Sequence, residues 1–282
     1  MKKSNSKFFI SLTVPFVAAC VNPAGAVKEK ALEFEAKFPE RVQSMKRGDK
    51  VLQYAWSGKV ERRPLLFVHG SPGSWNGWAE FLLDKRLQES FHIIVVDRPG
   101  YGGTTPDVAE PSLVNQAELI FAALSSNRSE LLPILVGHSY GGPVIAKIAM
   151  LHPEKIGGLI FVASSVAPEL EKTKWYQYPA SWWPIRFVIP SNLRVCNEEI
   201  MALKPELTDM LPNWKIISAK TIVIHGEEDP LVPVENVDFI RDHLKEDIVL
   251  EMNRVPHLNH FIPWTRPELI ENAIYKLEGA LK

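Results

Sequence analysis

The sequence predicts an α/β fold: a mostly parallel central sheet with helices on both faces and a small helical cap insertion. Three observations predict it. Short apolar runs recur with almost no polar alternation, as strands buried on both faces require. Stretches with helical spacing separate them. The rhythm breaks between Ser164 and Lys220, where Trp175, Tyr176, Tyr178, Trp182, Trp183, Phe187 and Trp214 gather among several prolines without a clean βαβ unit. That interval reads as a cap.

The elements follow in order. Lys2, Lys3 and Lys7 precede an apolar run from Phe8 to Ala19, which is too short for a comfortable membrane span. The run ends in Val17-Ala18-Ala19-Cys20. Positive, apolar and small-residue regions in this order are the layout of an export signal over residues 1–19. The small residues before a cysteine resemble a bacterial lipoprotein cleavage box. That resemblance implies that Cys20 becomes the lipid-bearing first residue, on the periplasmic side of a membrane. Val21 after Cys20, rather than an acid, points by the same resemblance to the outer membrane. Losing residues 1–19 removes three lysines and no acids, shifting the net charge from −1 to −4.

Residues 20–43 read as a tether and an N-terminal helix over Val27 to Phe38, and residues 44–282 as the main domain with the cap at 165–220. Val42–Met45 and Val51–Trp56 flank Arg47-Gly48-Asp49, a hairpin signal. Strands are expected at Leu65–Val68, Ile93–Val96, Leu132–Val136, Leu159–Val162, Thr221–Ile224 and Val249–Met252. Helices are expected at Trp75–Leu87, Leu113–Leu124, Gly142–Met150 and Pro267–Leu281.

Composition narrows the partners. The chain has 282 residues, 46% hydrophobic, enough for one large core. A formal charge of −1 suggests no nucleic acid partner. Cys20 and Cys196 are the only cysteines, so an exported protein with a lipidated Cys20 relies on its core; Cys196 reads as a small buried hydrophobe. No Zn-type ligand cluster is present.

One segment carries chemistry. Leu135-Val136-Gly137-His138-Ser139-Tyr140-Gly141-Gly142 has the order strand, sharp turn, helix, with the form G-x-S-x-G. Glycine two positions either side of the serine removes a Cβ that would strike neighbouring backbone. The turn lifts the Ser139 hydroxyl to the top of the sheet and aims the Tyr140 N–H beside it. A serine hydroxyl needs a base to take its proton, and the base needs a carboxylate to hold it. Both occur downstream. Glu227, Glu228 and Asp229 follow the strand Thr221–Ile224, and His257 and His260 follow Val249–Met252.

Four segments in order resemble the α/β-hydrolase family, from about Val51 to the C-terminus. His69-Gly70-Ser71-Pro72-Gly73 resembles the family's H-G-x-P-G loop. Asp97-Arg98-Pro99-Gly100-Tyr101-Gly102 resembles its D-x-x-G-x-G turn, a structural element beside the site. Gly226, Asp229 and Pro233 match G-x-x-D-x-x-x-P. Pro267-Glu268 lies seven residues after His260, the family's spacing from its catalytic histidine, and ten after His257. The resemblance therefore implies the α/β-hydrolase fold, Ser139 as nucleophile, Asp229 as acid, His260 as base, and the Ser71 and Tyr140 N–H groups as oxyanion donors. It implies acyl-enzyme hydrolysis of a small-molecule acyl substrate with no metal or organic cofactor. A serine where some branches carry aspartate excludes dehalogenation and epoxide opening. A carboxylic ester is the default substrate. Amide or peptide hydrolysis is the alternative, because Glu169, Glu171, Glu198 and Glu199 in the cap could hold an amine. Hydrolysis of a C–C bond and a non-catalytic, lipid-anchored binding module stay open.

Overall fold

The computed structural model describes residues 24–172 and 188–281, together with Trp175, Gln177, Tyr178 and Trp182. The expected export signal, Cys20 and much of the aromatic cap segment lie outside the described residues.

Eight strands form one sheet in the order β1-β2-β4-β3-β5-β6-β7-β8. They are β1 (Val42–Arg47), β2 (Lys50–Gly58), β3 (Arg63–Val68), β4 (Phe91–Val96), β5 (Ile134–His138), β6 (Gly158–Val162), β7 (Lys220–Gly226) and β8 (Val249–Val255). The β1–β2 hairpin turns at Gly48, whose φ of 64° suits glycine. β1 and β2 are antiparallel additions at one edge, and β4 to β8 run parallel with β3 among them. The apolar runs are buried on both faces, as a covered parallel sheet demands.

Alternate residues feed two cores. Leu66, Val68, Leu135 and Phe161 face one side; Leu65, Phe67, Val136 and Ile160 face the other. Against the first core pack α4 (Leu113–Phe121), α5 (Gly141–Leu151) and α7 (Asn236–His243). Against the second pack α1 (Ala24–Lys37), α2 (Ala79–Leu83), α3 (Lys85–Ser90) and α9 (Pro267–Ala280). The turn α8 (Ile262–Thr265) leads into α9, and α6 (Ser191–Met210) lies in the interval between β6 and β7.

The structure differs from the sequence pattern at several element ends, most clearly in three places. The helical stretch Trp75–Leu87 is broken into a 3-10 turn (Trp75–Trp78), α2 and α3, because extended Asp84 caps α3, its Oδ1 accepting from Leu87 N at 2.6 Å. α7 occupies a stretch that carried no expected helix. β5 continues past Val136 into Gly137 and His138, which pair with Phe161 and Val162.

Candidate active site

Register sets the site. Val68 pairs with Gly137, His138 with Val162, and Val162 with Ile224, so β3, β5, β6 and β7 end at one level. The loops that leave those ends carry Ser71, Ser139, Ser165 and Asp229, and the loop after β8 brings His260. Chemistry in open parallel sheets gathers at this carboxyl edge.

Ser139 sits in the left-handed region at φ 53°, a strained conformation for a non-glycine residue. It is over-determined by its neighbours. Ser139 N donates to Val162 O at 3.0 Å, and Ser139 O accepts from Gly142 N at 3.0 Å and Ser165 N at 3.3 Å. A Cβ on Gly137 would lie 2.5 Å from Gly141 O, and one on Gly141 2.2 Å from Val68 O. Gly142, to which the motif assigned no role, is equally constrained: its Cβ would lie 2.3 Å from the Ser164 Cβ.

His260 Nδ1 and Asp229 Oδ2 are 2.7 Å apart, and both side chains are nearly inaccessible. The other oxygen, Oδ1, accepts from Leu231 N at 2.8 Å and Val232 N at 2.9 Å. His225 Nε2 approaches Oδ2 at 3.4 Å while meeting Val232 O at 3.0 Å. Burial works against the charged carboxylate, but the hydrogen bonds from His225, His260 and Val232 outweigh it and hold Asp229 well below the usual carboxylate range. Asp229 therefore remains an anion that orients the His260 ring.

The two histidines of the last loop part company. His257 is 90% exposed and meets Glu228 at 3.0 Å, whereas the His260 side chain is 6% exposed and meets Asp229. Ser139 and His260 together line two cavities of about 260 Å³ each. One lies towards α6, with Leu170, Glu171, Ile200, Leu203 and Val232 in its wall. The other is bounded by Trp78, Phe261, Trp264 and, from α1, Val27.

Ser71 borders both cavities. Among the described residues, no protein acceptor engages the backbone N–H of Ser71 or of Tyr140. The Ser71 hydroxyl is not free to swing into the site: it lies 2.6 Å from Tyr101 Oη and donates to Glu199 Oε2 at 2.9 Å.

Several side chains take roles that the sequence pattern did not give them. His138 donates from Nε2 to His260 O at 3.0 Å, its ring centre 4.7 Å from that of His260, and burial pushes its pKa down to about 3. His225 shares Asp229. Arg98 and Glu199, both wholly buried, form a two-point ion pair at 2.8 and 3.1 Å. Removing one member of such a pair costs roughly 3–5 kcal/mol. Asp97 acts in the expected turn, accepting from Trp75 N at 2.7 Å and Gly103 N at 2.9 Å. The visible clue to Arg98 and Glu199 was charge in otherwise turn-like and cap-like segments; nothing local pairs residues so far apart in the chain. Among the described residues, no group of three His, Cys, Asp or Glu could hold a metal ion.

The model of the alpha/beta hydrolase family matches residues 65–273, most of the chain. The chain belongs to this family. Lipase 1 of Psychrobacter immobilis is 24% identical to this alpha/beta hydrolase over 296 residues, covering 89% of the chain and 90% of the relative. The pimeloyl-[acyl-carrier protein] methyl ester esterase of Yersinia enterocolitica is 36% identical over 104 residues, 36% of each protein. An acetyltransferase component of the acetoin cleaving system of Cupriavidus necator is 30% identical over 99 residues, and the chain spans only 26% of its length. Among solved structures, an esterase from Rhodococcus sp. superimposes with a TM-score of 0.65 at 18% identity, covering 86% of this chain and all of that one, which shows the shared fold.

Proposed function

We propose that this alpha/beta hydrolase is a serine hydrolase that cleaves a carboxylic ester through an acyl-enzyme. One observation carries the reading: His260, bonded to a buried Asp229 anion, shares two cavities with a Ser139 held in strain at the carboxyl end of β5. The similarity to a lipase and a methyl ester esterase favours the ester over other acyl substrates.

Ser139 Oγ attacks the ester carbonyl carbon while His260 Nε2 takes its proton. Asp229 stabilises the imidazolium that results. The carbonyl oxygen becomes an oxyanion facing the Tyr140 and Ser71 N–H groups. A trans peptide sends its C=O and N–H in opposite directions. Gly142 N and Ser165 N hold the Ser139 carbonyl, so the Tyr140 N–H is aimed away from them. Collapse breaks the carbon–oxygen bond of the ester, and His260 gives its proton to the departing alkoxide. Water then attacks the acyl-enzyme by the same route in reverse. Losing one oxyanion donor costs roughly 10²–10³ in rate.

A fluorophosphonate probe that labels the wild type but not Ser139→Ala, with Ser139-dependent turnover of nitrophenyl esters, supports the reading. A folded wild type that takes no label refutes it.

Amide hydrolysis is the second reading, and Glu171 favours it. Glu199 is taken by Arg98 and Glu198 lies 4.0 Å from Arg194, but Glu171 lines the cavity beside Ser139 with Ser165 bonded to one oxygen. An amine-bearing substrate would meet that carboxylate. Turnover of aminoacyl anilides, with nitrophenyl esters left untouched, would replace the ester reading.

We also propose that the protein is exported and held at a bacterial membrane, with the outer membrane favoured, by lipid on Cys20. No helix among the described residues is long and apolar enough to cross a membrane. Cys20→Ser should release the protein into the soluble fraction; retention in the membrane fraction would refute the anchor.

A further inference from the structure

Arg98 reaches the loop after β3 from three sides. Its backbone N–H donates to His69 Nε2 at 2.9 Å, its Nε to His69 O at 2.9 Å, and its Nη2 to Gly70 O at 3.1 Å. His69 Nδ1 closes on the same Gly70 O at 2.7 Å. Burial and the Arg98 charge push the His69 pKa well down, which keeps the ring neutral, with Nδ1 as its donor and Nε2 as its acceptor. Gly70 O and Ser71 N belong to one trans peptide. Fixing that oxygen on Arg98 and His69 therefore fixes the direction of the Ser71 N–H on the opposite side.

Arg98 is in turn held from the cap interval. Both Glu199 oxygens of α6 accept from its guanidinium, and Gln116 Oε1 accepts from Nη1 at 3.0 Å. Glu199 Oε2 also accepts from Ser71 Oγ and, at 2.8 Å, from Tyr101 Oη. One carboxylate on α6 thus grips the arginine that aims the Ser71 peptide, and the Ser71 side chain itself. Apolar residues could fill the same buried volume without any charge, so stability alone does not account for a pair with such directed bonds.

We propose that Arg98 and Glu199 are positioning residues that aim the Ser71 N–H at the reacting carbonyl, so that seating of α6 completes the oxyanion site. The proposal rests on the serine-hydrolase reading above. It makes the cap interval part of the catalytic geometry as well as a wall of the cavity. A cap helix shifted by about 1 Å would misaim the donor, a displacement that can cost on the order of 10²-fold in rate.

Two measurements on the full-length protein test it. The first is hydrogen exchange, read by mass spectrometry over residues 69–75. The second is steady-state hydrolysis of a nitrophenyl ester. The variants are Glu199→Gln and the apolar pair replacement Arg98→Met/Glu199→Leu, which restores packing in the same volume. We expect faster exchange at 69–75, unchanged protection in β5 and β6, and kcat at least tenfold lower with KM within about threefold of wild type. A purely structural role predicts that the pair replacement, once as thermally stable as wild type, regains wild-type kcat; that result overturns the proposal. So does loss of kcat without faster loop exchange, or faster loop exchange without loss of kcat. If Glu199→Gln fails to fold, Tyr101→Phe and Ser71→Ala each remove one hydroxyl bond to Glu199 together with the Ser71–Tyr101 bond, and at least one must show the paired effect. Absence of Ser139-dependent turnover in the wild type would refute the serine-hydrolase reading instead. The exchange result would still show whether Arg98 and Glu199 hold the loop.

Discussion

Asparagine at position 229 would keep the shape of the side chain and invert half of its hydrogen bonding. Asp229 Oδ1 accepts from two backbone donors, Leu231 N and Val232 N, while Oδ2 faces His260 Nδ1 at 2.7 Å. In Asp229→Asn the amide oxygen must take the Oδ1 place, because an NH2 group there would confront two N–H donors. The NH2 group then points at His260 Nδ1 and compels that nitrogen to accept. The proton moves to Nε2, the nitrogen that receives the Ser139 proton in the proposed mechanism, so the ring is held in the wrong tautomer for it. In a serine protease the equivalent change lowers kcat by about 10⁴, which corresponds to roughly 5.4 kcal/mol of barrier at 1.36 kcal/mol per tenfold. We expect a loss of that order in the ester kcat of Asp229→Asn, with KM little changed because no atom of the two cavity walls moves. Steady-state turnover of a nitrophenyl ester gives the number, and circular dichroism shows that the variant is folded. A folded Asp229→Asn within tenfold of wild type would mean that His260 does not depend on Asp229 for its tautomer, and the assigned acid would be wrong.

Other outcomes follow from the same geometry. His257→Ala should retain near wild-type turnover and His260→Ala should lose nearly all of it, since one ring is solvated on Glu228 and the other buried on Asp229; comparable losses in the two would refute that division. Gly142→Ala should destabilise the protein by several kcal/mol, because the new Cβ would overlap the Ser164 Cβ; a thermal midpoint equal to wild type would show that the elbow yields. Glu171→Gln should lower turnover of an aminoacyl nitrophenyl ester relative to its uncharged isostere by tenfold or more if the cavity takes amines; an unchanged ratio would remove the amide reading. Stability should fall as the pH drops below about 6.5. Burial holds His138 at about 3, His92 at about 4 and His69 well below its usual value, so the unfolded chain takes up protons that the fold refuses. Each such histidine contributes a slope of about 1.4 kcal/mol per pH unit within its window. Asp97, raised by burial to about 6, opposes one of them between about pH 6 and 4, because the fold binds its proton first. Denaturant melts from pH 7 to 4 would show a steep loss, and a flat profile would contradict the neutral buried rings.

The sequence by itself determined the sheet and the position of the candidate nucleophile, and the reason is local. Strands buried on both faces must be apolar throughout, so β3, β4, β5 and β6 announce themselves in runs of a few residues. An elbow that packs backbone against backbone admits only glycine at Gly137 and Gly141, so its pentapeptide is legible without any partner. The ends of helices were less so. Asp84 divides one expected helix through a cap that competes with the apolar spacing, and α7 follows Pro233 in a stretch with no expected helix.

What lies across the chain was decided only by the tertiary structure. The spacing to Pro267-Glu268 favoured His260 over His257 only through a resemblance; the path of one loop is what sends His260 to Asp229 and His257 into solvent. Glu199 was one of four interchangeable acids in the cap until α6 buried it against Arg98, 101 positions earlier, and through that arginine against the peptide that presents the Ser71 N–H. A buried charge must find its opposite, but a one-dimensional pattern does not say where. Only packing brings the cap helix to the loop after β3, where Glu199 meets both Arg98 and the Ser71 hydroxyl.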